Sequence, residues 1–197
     1  MFTGIIETMG KVVNIRKENS NIHFTIESTI SKDLKIDQSI AHNGACLTVV
    51  EINDNSHTVT AINETLMVTD LNHWKIGSFI NLERCMLANG RFDGHIVQGH
   101  IDTIGICKEI LNENGSWLFT FEYNTPDITV NKCSITVNGT SLTVAKSYNN
   151  SFTVAIIPYT YEHTVFKYLE AGSSVNLEFD IIGKYVSKML GKYSIEK

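Results

Sequence analysis

Apolar and polar residues alternate in short runs along most of this chain. The run His23-Phe24-Thr25-Ile26-Glu27 has the two-residue period of a half-buried strand. Residues 39–42 lead through Asn43-Gly44 into another run, from Cys46 to Ile52, and an Asn-Gly pair between two such runs is a strong signal for a β-hairpin. Short strands separated by frequent turns are typical of a small barrel or sandwich, so we predict an all-β protein.

Other stretches of the first half complete one unit of this fold. Residues 1–16 read as a strand with glycine interruptions. Residues 28–38 predict a loop with a short helix, and residues 63–71 predict a second short helix. Residues 79–85 predict the strand that closes the unit. Five or six strands in total are enough for one small barrel.

The whole pattern is written twice. Asn43-Gly44-Ala45-Cys46-Leu47-Thr48-Val49 returns as Asn138-Gly139-Thr140-Ser141-Leu142-Thr143-Val144, an offset of 95 residues. Roughly a third of the positions paired at this offset are identical, and no gap is needed. A period of this length matches a small domain rather than a solenoid repeat. We therefore predict two copies of one fold, at residues 1–95 and 96–184, followed by a tail at 185–197.

The tail breaks the repeat. Its apolar residues fall at helical spacing with lysines opposite, namely Ile181, Ile182, Tyr185, Val186, Met189 and Leu190 against Lys184, Lys188 and Lys192. A helix this short is marginal alone in water. It must pack on the body of the protein or against the same helix of other chains, and the pattern leaves both open.

Composition and charge exclude several classes of protein. The chain has 197 residues, with 16 Lys and Arg against 21 Asp and Glu, so its formal net charge is −5. It has no basic run for nucleic acid, no apolar stretch near the ~18 residues of a membrane span, and no N-terminal signal-peptide pattern. Its four cysteines form no C-x-x-C pair, so we predict free thiols in a reducing compartment, the cytoplasm.

The duplicated hairpin offers a candidate pocket in each copy. Residues two positions apart on a strand share a face, which places Cys46 beside Thr48 in the first copy and Ser141 beside Thr143 in the second. A few polar groups among apolar neighbours are typical of a small-molecule site. The alternative is ordinary strand packing, which recurrence at a fixed offset disfavours. A reactive Cys46 needs a nearby base, and His42 is the only candidate close in sequence. A lone histidine on a strand is more often structural than catalytic.

Other ionisable residues have two interpretations each. Asp180 precedes the tail helix, where a carboxylate is favoured as an N-terminal cap, but it could also reach a site as a base. His95 and His100 are an odd number of positions apart, so on a strand they would face opposite sides and make a poor metal pair. No G-x-G-x-x-G or Walker motif is present. We expect no metal, no dinucleotide site and no P-loop.

The chain resembles the riboflavin synthase family, whose members contain two lumazine-binding repeats. The resemblance is carried by Met1-Phe2-Thr3-Gly4-Ile5-Ile6, Ala41-His42-Asn43-Gly44-Ala45-Cys46-Leu47-Thr48-Val49, Glu64-Thr65-Leu66, Gly94-His95-Ile96-Val97-Gln98-Gly99-His100-Ile101-Asp102, Gly139-Thr140-Ser141-Leu142-Thr143-Val144, Val175-Asn176-Leu177-Glu178-Phe179-Asp180 and Lys184-Tyr185-Val186. It implies an all-β fold of two tandem similar six-stranded Greek-key barrels with a C-terminal α-helix that holds a homotrimer.

The resemblance also implies an activity. Each barrel would bind one 6,7-dimethyl-8-ribityllumazine, and two lumazines would react in one site by transfer of a four-carbon unit, the last step of riboflavin biosynthesis. The products would be riboflavin and 5-amino-6-ribitylamino-pyrimidinedione. No metal or redox cofactor would take part, because one substrate molecule oxidises the other. The site would lie between the first barrel of one subunit and the second barrel of its neighbour, and an association with lumazine synthase stays open.

Site residues follow from the same resemblance, position by position. Those linked to catalysis are Phe2, Cys46, His100, Ser141 and Asp180. Substrate contacts in the first copy are Gly4, Ile5, Ile6, Cys46, Leu47, Thr48, Ala61, Ile62, Asn63, Glu64, Thr65 and Leu66. Substrate contacts in the second copy are Gly99, His100, Ile101, Lys132, Thr140, Ser141, Leu142, Thr143, Ala155, Ile156, Ile157, Pro158, Tyr159 and Thr160.

Three other functions fit parts of the pattern. A lumazine or flavin antenna or carrier protein would share the duplicated fold without turnover, but the presence of His100, Ser141 and Thr143 favours the enzyme. A flavin domain of an oxidoreductase is disfavoured because no nicotinamide domain is found. A nucleic-acid-binding pair of barrels is disfavoured by the acidic balance and the missing basic stripe.

Overall fold

The structure, a computed structural model, describes residues 1–193, with side chains up to residue 190. Within this range twelve strands form two closed barrels of six strands each, and a helix follows the second barrel. All the strand pairings within the barrels are antiparallel. The predicted all-β fold of two tandem barrels with a C-terminal helix is confirmed.

The first barrel occupies the first copy of the repeat. Its elements are β1 (Thr8–Glu18), β2 (Asn21–Glu27), β3 (Ser39–His42), β4 (Ala45–Asn53), β5 (Ser56–Ala61), α1 (Asn63–Val68) and β6 (Phe79–Arg84), with 3₁₀ turns at Ser31–Asp33 and Asp70–His73. The strands join in the order β1-β2-β5-β4-β3-β6 and then close. Because β2 lies beside β5 and not beside β3, the connection is a Greek key.

The second barrel repeats this plan at the same offset. Its elements are β7 (Thr103–Asn112), β8 (Trp117–Glu122), β9 (Ser134–Val137), β10 (Thr140–Ser147), β11 (Ser151–Ile156), α2 (Pro158–His163) and β12 (Ser174–Phe179), with a 3₁₀ turn at Val165–Tyr168, and α3 (Ile181–Tyr193) follows. The irregularity in β1 between Val12 and Asn14 recurs in β7 between Cys107 and Glu109. The repeat therefore extends to details of strand curvature.

Each barrel encloses its own apolar core. On β4, Leu47 and Val49 point into the first core, whereas Cys46 and Thr48 point outward, as the two-residue period predicts. The second core is rich in aromatic rings, with Phe119, Phe121, Phe152 and Phe166 fully buried. The outward faces of β4 and β10 are therefore free to carry a site.

The two Asn-Gly hairpins meet between the barrels. A Cβ on Gly44 would lie 2.8 Å from the backbone nitrogen of Gly139, and a Cβ on Gly139 would lie 2.7 Å from that of Gly44. Both residues have a positive φ, +84° and +76°. Glycine is therefore required at both positions by conformation and by close backbone approach.

Two buried asparagines stabilise the same contact between the barrels, which is called the seam here. The Nδ2 group of Asn81 donates to the carbonyl oxygen of Asn138 at 2.9 Å, and its Oδ1 accepts from the N–H of Val165 at 2.9 Å. The matching Nδ2 group of Asn176 donates to the carbonyl oxygen of Asn43 at 3.0 Å. Because each side chain reaches across to the other barrel, the barrels have one fixed relative orientation.

One boundary differs from the sequence predictions, at the first strand. The first strand begins at Thr8, because residues 2–4 leave the barrel and pair with the start of the second copy. The tail helix α3 begins at Ile181, and residues 194–197 of the predicted tail lie outside the described residues. Among the described residues, no helix has the length and apolar character needed to cross a membrane.

Candidate active site

Two short segments, residues 2–4 and residues 95–99, run antiparallel between the barrels and are called the linking ribbon here. The N–H of Phe2 donates to the carbonyl oxygen of Val97 at 2.7 Å, and the N–H of Val97 donates back to Phe2 at 3.2 Å. Both side chains are fully buried. The ribbon therefore joins the beginnings of the two copies into one rigid piece.

A buried glutamate of each barrel holds its own segment of the ribbon. The carboxylate of Glu83 accepts from the N–H groups of Thr3 at 2.7 Å and Gly4 at 3.0 Å. The carboxylate of Glu178 accepts from three successive N–H groups, residues 98–100, at 2.7, 2.9 and 3.0 Å. Burial raises the pKa of both carboxyls, and the N–H donors oppose this shift by stabilising the charged form.

Each segment then crosses to the opposite barrel. The carbonyl oxygen of Gly4 accepts from the N–H of Ser141 at 2.8 Å, and that of Gly99 accepts from the N–H of Cys46 at 2.9 Å. A Cβ on either glycine would lie 2.6 Å from the Cβ of its partner, and both glycines have positive φ. Cys46 and Ser141, singled out from the sequence, thus occupy equivalent places beneath the ribbon.

Ser141 of the second copy forms an acid-base pair with His95 of the linking ribbon. His95 Nδ1 lies 2.7 Å from the Ser141 hydroxyl oxygen, and both side chains are half-buried. Burial lowers the pKa of His95, while the negative charge of Asp180 acts in the opposite direction. A neutral imidazole can accept the Ser141 proton, so this place can move a proton near neutral pH.

Asp180 caps the tail helix, which is one of the two roles considered for it from the sequence. Its Oδ1 accepts from the N–H of Ile182 at 2.9 Å, which caps the first turn of α3. Its charge also reaches His95. The residue that caps the tail helix therefore also acts electrostatically on His95.

The first copy has a different environment at the equivalent place. Cys46 packs with Phe2, Val97 and Cys85 in a small apolar cluster. Burial raises the pKa of the Cys46 thiol. The group is therefore a protonated thiol near neutral pH and not a thiolate. At the repeat offset of 95 residues, Cys85 of the first copy is equivalent to Asp180 of the second.

His42, the nearest base to Cys46 in sequence, does not serve it. The hairpin register pairs His42 with Ala45 and pairs Ala41 with Cys46. Because neighbouring strand residues alternate between faces, the His42 ring points into the barrel while Cys46 points outward. His42 therefore does not serve as a base for Cys46, and the structural interpretation of this histidine is the one that agrees with the fold.

His42 instead belongs to a buried polar chain in the first barrel. Its Nδ1 lies 3.1 Å from the carbonyl oxygen of Ile40, its Nε2 lies 2.9 Å from His57 Nε2, and His57 Nδ1 lies 2.8 Å from the Ser31 hydroxyl. A carbonyl only accepts, so with both rings neutral the hydrogens run in one order, from Ser31 through His57 to His42. Burial lowers the pKa of both histidines, that of His57 to about 4.

The predicted substrate residues divide by orientation. Several lie exposed or half-exposed around the outer faces of β4, β10 and the starts of α1 and α2, namely Thr48, Ile62, Asn63, Glu64, Thr65, Lys132, Thr143, Ala155, Ile157, Pro158, Tyr159 and Thr160. Others belong to the barrel cores or the seam and offer a ligand only backbone atoms, namely Leu47, Ala61, Leu66, Thr140 and Ile156. Two half-buried residues pack against a core, namely Ile101 and Leu142.

The remaining predicted residues lie at or near the ribbon. Ile5 lines a cavity of about 420 Å³ whose walls include Glu83 and Cys85, and Ile6 beside it is half-buried. The backbone of His100 is bound by Glu178 while the residue stays exposed. Phe2 is fully buried and carries no polar group, so its contribution is to hold the ribbon and not to move protons.

Comparison with known proteins identifies the family. A family model for the lumazine binding domain matches residues 3–85 and again residues 98–180. Riboflavin synthase of Actinobacillus pleuropneumoniae is 43% identical over 196 residues, covering 98% of this chain and 91% of that protein. Riboflavin synthase of Bacillus subtilis (strain 168) is 40% identical over 201 residues, covering 100% of this chain and 93% of that protein. The chain belongs to the riboflavin synthase family.

Solved structures share the fold of this riboflavin synthase family member at lower identity. LumP in complex with 6,7-dimethyl-8-(1'-D-ribityl)lumazine superposes with a TM-score of 0.83 at 22% identity, over 91% of this chain and 99% of that one. LumP in complex with riboflavin gives a TM-score of 0.85 at 22% identity, over 91% and 100% of the two chains. At this identity the likeness supports the two-barrel architecture alone.

Sequence reasoning missed three site residues that this riboflavin synthase family member places at the ribbon. Glu83 and Glu178 recur at the fixed offset on strands, yet both are buried and bind backbone N–H groups. Their recurrence was a usable signal for a shared polar role. His95 had no such signal, because it is not one of the positions paired at the offset of 95 residues.

Proposed function

We propose that the chain is a riboflavin synthase, a transferase that converts two molecules of 6,7-dimethyl-8-ribityllumazine into riboflavin and 5-amino-6-ribitylamino-pyrimidinedione. One lumazine gives up a four-carbon unit and the other receives it. The observation that carries the proposal is the unequal chemistry at two equivalent places, Ser141 with His95 in one copy and Cys46 in the other. Positions 46 and 141 are equivalent, as expected if each copy binds one molecule of the same substrate. Their different side chains are expected if one molecule is the donor and the other the acceptor.

The Ser141 and His95 pair is the proposed proton-moving unit. The reaction needs a proton removed from the acidic methyl group at C7 of one lumazine and a nucleophile added to the other. A neutral His95 that accepts the Ser141 proton can start either step. Asp180 then stabilises the imidazolium that forms, because its negative charge favours a protonated His95.

The other proposed contacts hold the two ring systems face to face. Thr48 and Thr143 lie outward on β4 and β10, where they can bond to the ribityl chains. Cys46, as a protonated thiol, donates a hydrogen bond or fills space in the first pocket. Holding two reactants in the reactive orientation contributes a large share of the acceleration in such reactions.

We further propose a homotrimer held by α3. The helix has 13 residues, and Ile182, Tyr185 and Met189 are 62%, 66% and 60% exposed on it. A short helix with exposed apolar side chains gains stability by packing against copies of itself. The trimer would bring the first barrel of one subunit to the second barrel of the next. Location in the cytoplasm and contact with lumazine synthase remain predictions.

The test mixes the purified chain with 6,7-dimethyl-8-ribityllumazine under nitrogen and follows riboflavin by absorbance. We expect one riboflavin for every two lumazines consumed. His95→Gln is expected to abolish most of the turnover, and Cys133→Ser, which changes an exposed thiol, serves as the matched control. Stable lumazine binding with bright fluorescence and no turnover would establish a carrier or antenna protein and reject the enzyme.

A further inference from the structure

Asp180 is held in the turn between β12 and α3, and its placement matters for the proposed chemistry. Its Oδ1 caps α3 through the N–H of Ile182. From this position its charge favours the protonated form of His95. A shift of the turn would move the charge relative to the imidazole, so whatever fixes the turn also fixes this interaction.

One carboxylate binds the chain on both sides of Asp180. Asp102 Oδ2 accepts from the N–H of Phe179 at 2.8 Å, and Asp102 Oδ1 accepts from Lys184 Nζ at 2.6 Å. Phe179 precedes Asp180, and Lys184 lies one helical turn after it. Asp102 is itself anchored, because its N–H donates to the carbonyl oxygen of Leu177 on β12.

Without a partner, the positive charge of Lys184 would destabilise the first turn of α3. A cation in the first turn of a helix opposes the macrodipole, whose N-terminal end is already positive. The side chains of Lys184 and Asp102 are only 22% and 20% exposed, so the pair is shielded from solvent. A half-buried ion pair with good geometry contributes more than an exposed one. The pairing explains why a lysine is tolerated there.

The first copy lacks this arrangement. Glu7 stands at the position of Asp102 and accepts from the N–H of Arg84 at 2.7 Å, as Asp102 does from Phe179. Its cation is the guanidinium of the same Arg84, on the strand itself. The following residue there is Cys85. In the second copy the cation, Lys184, comes from the helix after the turn, whereas in the first copy it comes from the strand before it. The turn carries a carboxylate, Asp180, in the second copy but not in the first.

We propose that Asp102 and Lys184 are positioning residues, which fix the turn that carries the Asp180 carboxylate. The proposal rests on the proposed function. Asp102 and Lys184 act through the turn, without touching the reacting atoms. Loss of either partner frees the first turn of α3 and lets the Asp180 carboxylate leave its present position.

The experiment is a double-mutant cycle on turnover at saturating lumazine. Lys184→Met keeps the length of the side chain and removes its charge, and we expect it to lower kcat about tenfold with KM within about twofold of the unmodified value. Lys184→Arg should restore most of the turnover. Lys188→Met, one turn further along α3 and exposed, is the control and should leave kcat unchanged.

The cycle separates positioning from general stability. In an Asp180→Asn background, Lys184→Met should cause no further loss of kcat, because the residue that it positions is already altered. The same fractional loss in both backgrounds, or full turnover in Lys184→Met, would overturn the proposal. If Lys184→Met does not fold, Asp102→Asn answers the same question. Absence of turnover in the unmodified chain would reject the proposed function instead.

Discussion

The backbone N–H of Ser141 donates a hydrogen bond of 2.8 Å to the carbonyl oxygen of Gly4, although the two residues belong to different copies of the repeat. Cys46 makes the same bond with Gly99 at 2.9 Å. These bonds use only backbone atoms, so they do not depend on the side chain at either place. The geometry of the two places can stay equal while their chemistry differs.

His95→Gln is expected to lower turnover by about 10²- to 10⁴-fold, the usual contribution of a general base. Lumazine affinity should change much less, because the imidazole acts on the reaction and the exposed faces of β4 and β10 supply most of the proposed binding. Steady-state turnover and equilibrium binding, measured separately, check this. His73→Gln, at an exposed histidine outside the ribbon, is the control. Unchanged turnover would remove His95 from the mechanism.

Asp180→Asn is expected to move the acid limb of the kcat/KM profile to lower pH. His95 must be neutral to act as a base, so activity falls as pH drops through its pKa. Burial already lowers this pKa and the Asp180 charge raises it, so removal of the charge lowers it further. The pH profiles of the two proteins give the direction directly. A shift toward higher pH would contradict the assigned interaction.

Gly44→Ala is expected to destabilise the protein by about 3 kcal/mol or more, because strain at positive φ adds to a backbone clash with Gly139. Gly77→Ala is the matched control: its φ is +97°, and nothing lies within 4 Å of the added Cβ. It should cost about 1 kcal/mol from conformation alone. Urea unfolding of both variants measures the difference. Equal losses would mean that the seam tolerates a side chain.

Much of the fold was accessible from the sequence because the information is local and repeated. The Asn-Gly hairpins, the period-two strands and the fixed offset each depend on a few neighbouring residues, and all of these agree with the structure. The sequence predicts a strand over residues 1–16, but its first segment pairs with residues 95–97, a partner far away in the chain. A local pattern carries no information about that choice.

The candidate site was only partly accessible for a related reason. Cys46 and Ser141 were found because they differ at matched positions of the repeat. His95 meets Ser141 only after the linking ribbon has formed, and no spacing in the sequence indicates that contact. His42 is close to Cys46 in sequence but not in orientation, because strand alternation turns its ring into the core.

The two buried histidines predict a loss of stability in acid. Their folded-state pKa values lie below that of an exposed histidine, so the unfolded chain binds more protons once pH falls below about 6.5. Stability should therefore fall between about pH 6.5 and 4. The double variant His42→Val with His57→Phe copies Val137 and Phe152 of the second barrel and should flatten this dependence.

The single variant His57→Phe is the companion to that test. It leaves His42 Nε2 buried without its partner, which should cost about 1–3 kcal/mol at pH 7. Unfolding by urea at several pH values compares the three proteins. An acid dependence that survives in the double variant would mean that other groups cause it.

Asp70 predicts the opposite dependence. Burial raises its pKa from 3.8 to about 7, so the folded chain holds a proton that the unfolded chain releases. Stability from this group is complete below about pH 4 and falls as pH rises toward 7, by an amount on the order of 4 kcal/mol. Asp70→Asn removes the titration, so the variant should gain relative to the unmodified chain between pH 4 and 8. A parallel pH dependence in the two proteins would contradict the assignment.

The contact between Gly44 and Gly139 bears on how such a protein could evolve. In a symmetric dimer of identical chains, equivalent positions necessarily carry the same residue. A cysteine at one of the two places beneath the ribbon would then require a cysteine at the other. Fusion of the two copies removes that constraint from positions 46 and 141, while each seam glycine still faces the backbone of the other. Selection could then keep the ancestral symmetry of the scaffold and give the two halves separate chemical duties.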